Sequence, residues 1–436
     1  MNRANNSPVQ PTRAGTAAAA KWLTLRRVRA HAIVLALCLW GVCAVDFATP
    51  GIFDRVGNIK FQDFLPIYVS AQLIAQNRAG ELYASQIAAE SMRAVVHQLV
   101  SQPPNVRLPY LYGPQVALSM APLSRFSFPV AARIWVVISL LLYAGCIYLV
   151  WNTCAALRPH RKIVAVCAIA FPPLFHFFVR GQLSALVLAC FTAAFLAFRM
   201  DRNWLAGLTL GFLIFKPQFL IAIPLVLILA QEWQAFAGFV LAAAAQLAFT
   251  AAYFGSGVMH AYFDVLWHVS RALDAAELSL APIQMHSLRA FWSLLFPSPQ
   301  SPWPEISLGL YVLSAIVTVG MAAFVWKSSS PLALRFSALS LAAVLVNPHL
   351  FIYDLLVLAP ALLLVVDWTI AHAQSPASAL LRVLAYAVFI VPLFGPLSRW
   401  THVQLSVPVF VALLWTLWRH SRTAGHKLDS AEPAVV

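Results

Sequence analysis

The chain has 436 residues, of which 61% are hydrophobic and only 10% charged, against about 25% charged in an ordinary soluble domain. Long apolar runs recur from residue 30 to residue 418, which excludes two or three soluble domains and makes the chain a polytopic membrane protein. The net charge of +14 is explained by orientation in a bilayer, with cations collected in cytoplasmic loops, and requires no nucleic-acid partner.

The first apolar run, about His31 to Phe47, follows Lys21, Arg26, Arg27 and Arg29. No small-residue cleavage site stands out after it, so it reads as an anchor running from inside to outside. Residues 48–112 form a polar outer stretch with two expected helices, Asp63 to Gln76 and Ser85 to Val100, the second stopped by Pro103 and Pro104. A Pro-punctuated piece ends near Phe128, and a full span is expected from Pro129 to Trp151. Arg158, Arg161 and Lys162 then mark an inner loop; spans over 163–179 and 184–198 follow, with Arg199 and Arg202 at the inner end.

Residues 204–231 are interrupted by Lys216-Pro217-Gln218 and fit either one kinked span or a hairpin of two short ones. Each half of a hairpin reaches only roughly 18 Å at about 1.5 Å per residue, short of a bilayer of about 30 Å. Short helices of this kind occur where protein or a water-filled cavity surrounds them. Charge favours the hairpin, because a single span would put Lys327, Arg335, Arg382, Arg419, Arg422 and Lys427 outside and bring in only Arg271, Arg289 and Arg399. Later spans then fall near 235–254, 305–326, 332–347, 354–370, 380–395 and 404–418. The expected fold is all-α with about twelve transmembrane helices. A cytoplasmic tail covers 1–29, a transmembrane domain 30–418 with outer loops 48–112 and 255–304, and a second cytoplasmic tail 419–436. The polar ends, 1–20 and 421–436, are expected to be disordered.

In this topology the unusual polar residues gather on the outer face: Asp63, Arg180-Gly181-Gln182, Lys216-Pro217-Gln218, Asn347-Pro348-His349 and Tyr353-Asp354. Ionisable groups at membrane depth are costly and usually face a cavity, so an outward polar cleft is expected. Each member has a plainer reading as well. Asp63 fits a helix cap or a general base, and Lys216 a snorkelling ammonium or a phosphate ligand. Arg180 fits an interfacial anchor, Gln182 a helix-to-helix contact, His349 a packed histidine and Asp354 a cap. His286 reads as a surface histidine. The six cysteines show no CxxC pairing and read as small hydrophobes. P-loop, GxSxG, HExxH and strand-linked GxGxxG patterns are missing from the sequence, so nucleotide hydrolysis, serine hydrolysis and zinc proteolysis lack support.

The string Asp63-Phe64 with Tyr68, then Gly80-Glu81-Leu82-Tyr83, Tyr112-Gly113-Pro114 and Ala121-Pro122-Leu123 resembles the first outer loop of the family 87 glycosyltransferases, membrane enzymes of the GT-C superfamily. Gly181-Gln182, Ala206-Gly207 with Gly211 before Lys216-Pro217-Gln218, and Pro348-His349 before Tyr353-Asp354 continue the pattern in order. The resemblance implies transfer of a mannose-like sugar from a polyprenyl-phosphate-sugar donor to a lipid or glycan acceptor. It places the reaction on the outer face of the cytoplasmic membrane, among membrane lipids, with both termini cytoplasmic. By the same resemblance Asp63 is the general base and Lys216 meets the donor phosphate; the need to neutralise the leaving phosphate adds Arg180 as a second phosphate partner and His349 as a phosphate or sugar ligand. Tyr68, Tyr112, Gln182, Gln218, Tyr353 and Asp354 are expected to bind substrate. Direct displacement inverts the anomeric centre, and cations can neutralise the leaving phosphate, so neither cofactor nor metal is required. Two departures touch the acceptor pocket: Gly113 stands where the family often has Pro, and Ala84 where it often has Asp. The rival readings are a flippase or transporter for lipid-linked sugar and a non-catalytic assembly subunit. The lack of a clear internal repeat and the long outer loops favour the transferase.

Overall fold

The computed structural model describes residues 20, 22–100, 108–271, 282–296 and 304–429. Pro103 and Pro104, the ends 1–19 and 430–436, and parts of the second outer loop lie outside the described residues. The described chain is helical throughout, and its β-type pairings are two isolated bridges, Phe53 with Ile59 and Met285 with Phe351.

Six helices among the described residues are long and apolar enough to cross a membrane: Leu25–Ala48, Phe128–Trp151, Trp233–His268, Glu305–Lys327, Ile352–Ala371 and Ser378–Thr401. The pair Arg158–Ile169 and Pro172–Arg180, bent by 47°, makes a seventh if taken as one span. Two prolines at the start of its second half cause the bend, since neither can donate to the helical ladder. The protein is therefore an all-helical membrane protein. The difference from the expected twelve spans comes from four segments too short to qualify, Ser184–Arg199, Asn203–Phe215, Pro217–Leu229 and Leu332–Leu345, and from the helix at the expected 404–418 span, which is long but not among the apolar candidates. Leu332–Leu345 is buried along most of its length, as expected of a helix that is apolar on every side. The first helix instead exposes Val34, Leu37 and Val45, a surface suited to lipid.

The 204–231 segment turns back on itself. Asn203, at its start, and Glu232, just beyond its end, line one small pocket together with Arg199 and Arg335, whereas Lys216, in the middle, lines a different and larger cavity. Lys216 sits between the 3-10 turns Phe212–Phe215 and Pro217–Leu220, which join two short helices. The returning chain lets the Trp233–Arg271 helix lie against the Asn203–Gly211 helix. A Cβ on Gly207 would stand 1.9 Å from the Ala235 carbonyl oxygen, and one on Gly238 would stand 2.3 Å from that of Trp204. Small residues here let two backbones touch, as is common between membrane helices. Because the obstacle is backbone, Gly207→Ala is expected to lower stability by about 1–3 kcal/mol, read as an earlier thermal unfolding midpoint in detergent.

Near the expected outer loops the elements largely follow the sequence. Helices cover Leu65–Ala75 and Ser85–His97, and a 3-10 turn over Gln62–Phe64 precedes the first. The long Trp233–Arg271 helix is broken at Gly255, with φ 81° and ψ 169°, a conformation essentially reserved for glycine. The break falls where the 235–254 span was expected to end. At the C-terminus the last helix runs from Ser406 to Asp429 instead of ending near 418. Ser421 meets Ser330 through their hydroxyls at 2.8 Å, and His420 packs edge-on against Trp368 at 4.9 Å, contacts that carry the helix beyond its apolar stretch. All six cysteines are free, and Cys38 alone is exposed.

Candidate active site

A cavity of about 1310 Å³ opens between the loop after the first helix, the tip of the 204–231 hairpin and the 348–354 turn. Asp63, Arg180, Gln182, Lys216, Arg289, His349 and Asp354 all line it.

Asp63 owes its position to local backbone geometry. Phe61 adopts a left-handed conformation, φ 58°, and its amide donates to the Val179 carbonyl at 3.1 Å. The 3-10 turn carrying Asp63 is thereby pinned to the end of the Pro172–Arg180 helix. That helix ends on Gly181 at φ 72°, where a Cβ would meet Phe64 and Phe61 at 3.1 and 3.2 Å. Glycine thus permits both the turn and the close approach of the two segments. Arg180 then lies 3.6 Å from Asp63 Oδ1, and the Gln182 amide donates to Oδ2 at 2.7 Å. The amide is oriented in turn by Tyr112, whose hydroxyl donates to Gln182 Oε1 at 2.6 Å. Burial, and after it the nearby Asp354 and Asp63 carboxylates, push the Tyr112 phenol well above its ordinary range, which keeps it a donor. A carboxylate has about four lone-pair sites, so Asp63 retains acceptor capacity on its cavity side.

Lys216 is not at an exposed interface. It is 3% exposed and forms an ion pair with the buried Asp354, which also accepts the Ser184 hydroxyl on Oδ1 at 2.7 Å. The Lys216 ammonium also lies 5.5 Å from the Tyr353 ring centroid, within cation–π range. Asp354 Oδ2 is buried and accepts no hydrogen bond from a described residue. Lys216 and Asp354 therefore act as one charge-compensated unit, an arrangement invisible without the tertiary contact between positions 138 residues apart.

The third polar group is one that sequence reasoning missed. Arg289 opens the Leu288–Leu295 helix and donates from Nη1 to His349 Nε2 at 3.2 Å. The Asn347 side chain accepts the His349 amide at 2.9 Å and holds that turn. The available signal was a cation flanked by apolar residues in Leu288-Arg289-Ala290-Phe291, an intramembrane-like setting that itself suggests function.

Two sequence readings need correction. Tyr68 does not line the cavity; its hydroxyl donates to the Phe126 carbonyl at 2.8 Å, fastening the loop helix to the segment before the Phe128–Trp151 span. His286 is buried rather than on the surface, with Nδ1 2.8 Å from the Ser406 hydroxyl and its amide donating to Leu350. Burial, and after it His176, lower its pKa to about 3, so it is neutral at ordinary pH where it lines the cavity. Tyr112, Gln182, Gln218, Tyr353 and Asp354 all line the cavity.

A bundle of apolar helices around a cavity with two carboxylates and several cations defines an integral membrane protein with a charged internal cleft. The family model for glycosyltransferase family 87 matches residues 110–348. The match spans more than half of the chain, so the chain belongs to that family and is a membrane glycosyltransferase. It includes Arg180, Gln182, Lys216 and Arg289 and leaves Asp63, His349 and Asp354 outside. No curated protein and no solved structure matches the chain.

Proposed function

We propose that this glycosyltransferase moves a mannose-like sugar from a polyprenyl-phosphate-sugar to a lipid or glycan acceptor, with inversion at the anomeric carbon. It does so on the outer face of the cytoplasmic membrane, in a GT-C arrangement of about twelve membrane segments that includes the short hairpin, with both termini cytoplasmic. The observation that carries the reading is the position of Asp63 on the cavity wall, oriented by Gln182 and Arg180.

In the reaction the acceptor hydroxyl oxygen attacks the anomeric carbon as Asp63 takes its proton. The bond from that carbon to the phosphate oxygen breaks, and its electron pair leaves with the polyprenyl phosphate. Proton removal by a positioned base and stabilisation of the departing charge are the two contributions such a step requires. Lys216, Arg180 and His349 line the wall facing that charge, while Tyr112, Gln182, Gln218, Tyr353 and Asp354 shape the sugar pocket. Arginine and lysine suffice for a phosphate leaving group, and no metal or cofactor enters this scheme.

The test is transfer by purified protein in sealed lipid vesicles from a panel of radiolabelled polyprenyl-phosphate sugars to a cell-envelope lipid extract. One donor is expected to yield labelled product. Movement of labelled lipid across the bilayer with no product from any donor would overturn the reading in favour of a flippase.

A further inference from the structure

Among the described residues the cavity wall carries more positive than negative charge, and the excess has a definite location. Of its ionisable lining groups, Asp63 is paired with Arg180, and Asp354 with Lys216. Arg399 lines the cavity as an exposed residue, where water screens it. Arg289 is half-buried, and among the described residues no carboxylate lies within ion-pair distance of it; its one hydrogen bond there goes to His349.

A guanidinium has five N–H donors and no acceptor, so in this bond His349 Nε2 is the acceptor. Burial pushes the Arg289 guanidinium below its ordinary value, opposed by the nearby Tyr311, so the group has lost part of its hydration. An anion reaching it restores that solvation and gains charge-assisted, potentially bidentate hydrogen bonds.

We propose that Arg289, held in place by His349, is the principal ligand of the donor's phosphate, ahead of Lys216, whose charge Asp354 already compensates. This rests on the reading of the protein as a polyprenyl-phosphate-dependent transferase. A phosphodiester donor carries one negative charge, and its phosphomonoester product carries up to two. A cation with no carboxylate partner among the described residues therefore interacts more strongly as the sugar leaves, which accelerates the step rather than merely tightening binding.

The experiment compares wild type, Arg289→Gln and Arg289→Lys in nanodiscs, measuring binding of a polyprenyl phosphate and of the matching polyprenol, together with donor KM and kcat. Arg289→Gln is expected to weaken polyprenyl phosphate binding by about 10- to 100-fold and to lower kcat, with polyprenol binding unchanged and partial recovery in Arg289→Lys. Equal loss of both ligands would reveal a merely structural role and overturn the proposal. So would phosphate binding by Arg289→Gln equal to that of wild type; if wild type still transfers sugar, the transferase reading survives that result. A wild type that neither binds polyprenyl phosphate nor transfers sugar overturns both.

Discussion

Asp63→Asn is expected to lower kcat by about 10²–10⁴-fold, the contribution of a positioned general base, while leaving polyprenyl phosphate binding and the fold intact. The substitution keeps shape and removes only the ability to take a proton. The Gln182 amide would still find an oxygen to donate to, and Arg180, 34% exposed, would regain water as its partner. The fold is insulated because the turn carrying Asp63 is fixed by backbone, through the Phe61 amide on Val179 and the αL glycine at 181. Steady-state transfer, polyprenyl phosphate binding and thermal unfolding measured on one preparation separate the possibilities. Undiminished turnover would remove Asp63 from the chemistry, and loss of binding or stability alongside turnover would make it a structural residue.

Lys216→Met is expected to destabilise the protein by about 3–5 kcal/mol, because it strands a buried carboxylate without its counter-ion. The side chains are 3% and 1% exposed, so each carries little hydration of its own and depends on the other for charge compensation. The cost should be largely relieved in the double variant Lys216→Met with Asp354→Leu, since replacing a whole buried pair by apolar groups is often neutral or stabilising. Unfolding free energies of the two single variants and the double variant, compared as a cycle, measure this coupling. If Lys216→Met unfolds like wild type while donor binding collapses, the lysine is a phosphate ligand first, and Arg289 loses its claim to that role.

The sequence by itself determined the membrane class, most span positions and the helices at Leu65–Ala75 and Ser85–His97, because hydropathy and helical spacing are local properties of a chain. It also determined the family, through short motifs whose order along the chain is specific where each alone is weak, and it brought Asp63, Arg180, Gln182, Lys216, His349 and Asp354 to one face. What it could not supply were pairings between distant positions. The Lys216–Asp354 ion pair, the Tyr112–Gln182–Asp63 relay and the His286 bond to Ser406 each join residues 70 or more positions apart. Helix lengths were decided by tertiary structure too, since short apolar helices such as Leu332–Leu345 persist only where neighbours cover them. Which cation stands uncompensated is decided the same way. Charge is written in the sequence, but compensation depends on which groups folding brings within a few ångströms, and that sets Arg289 apart from Lys216 and Arg180.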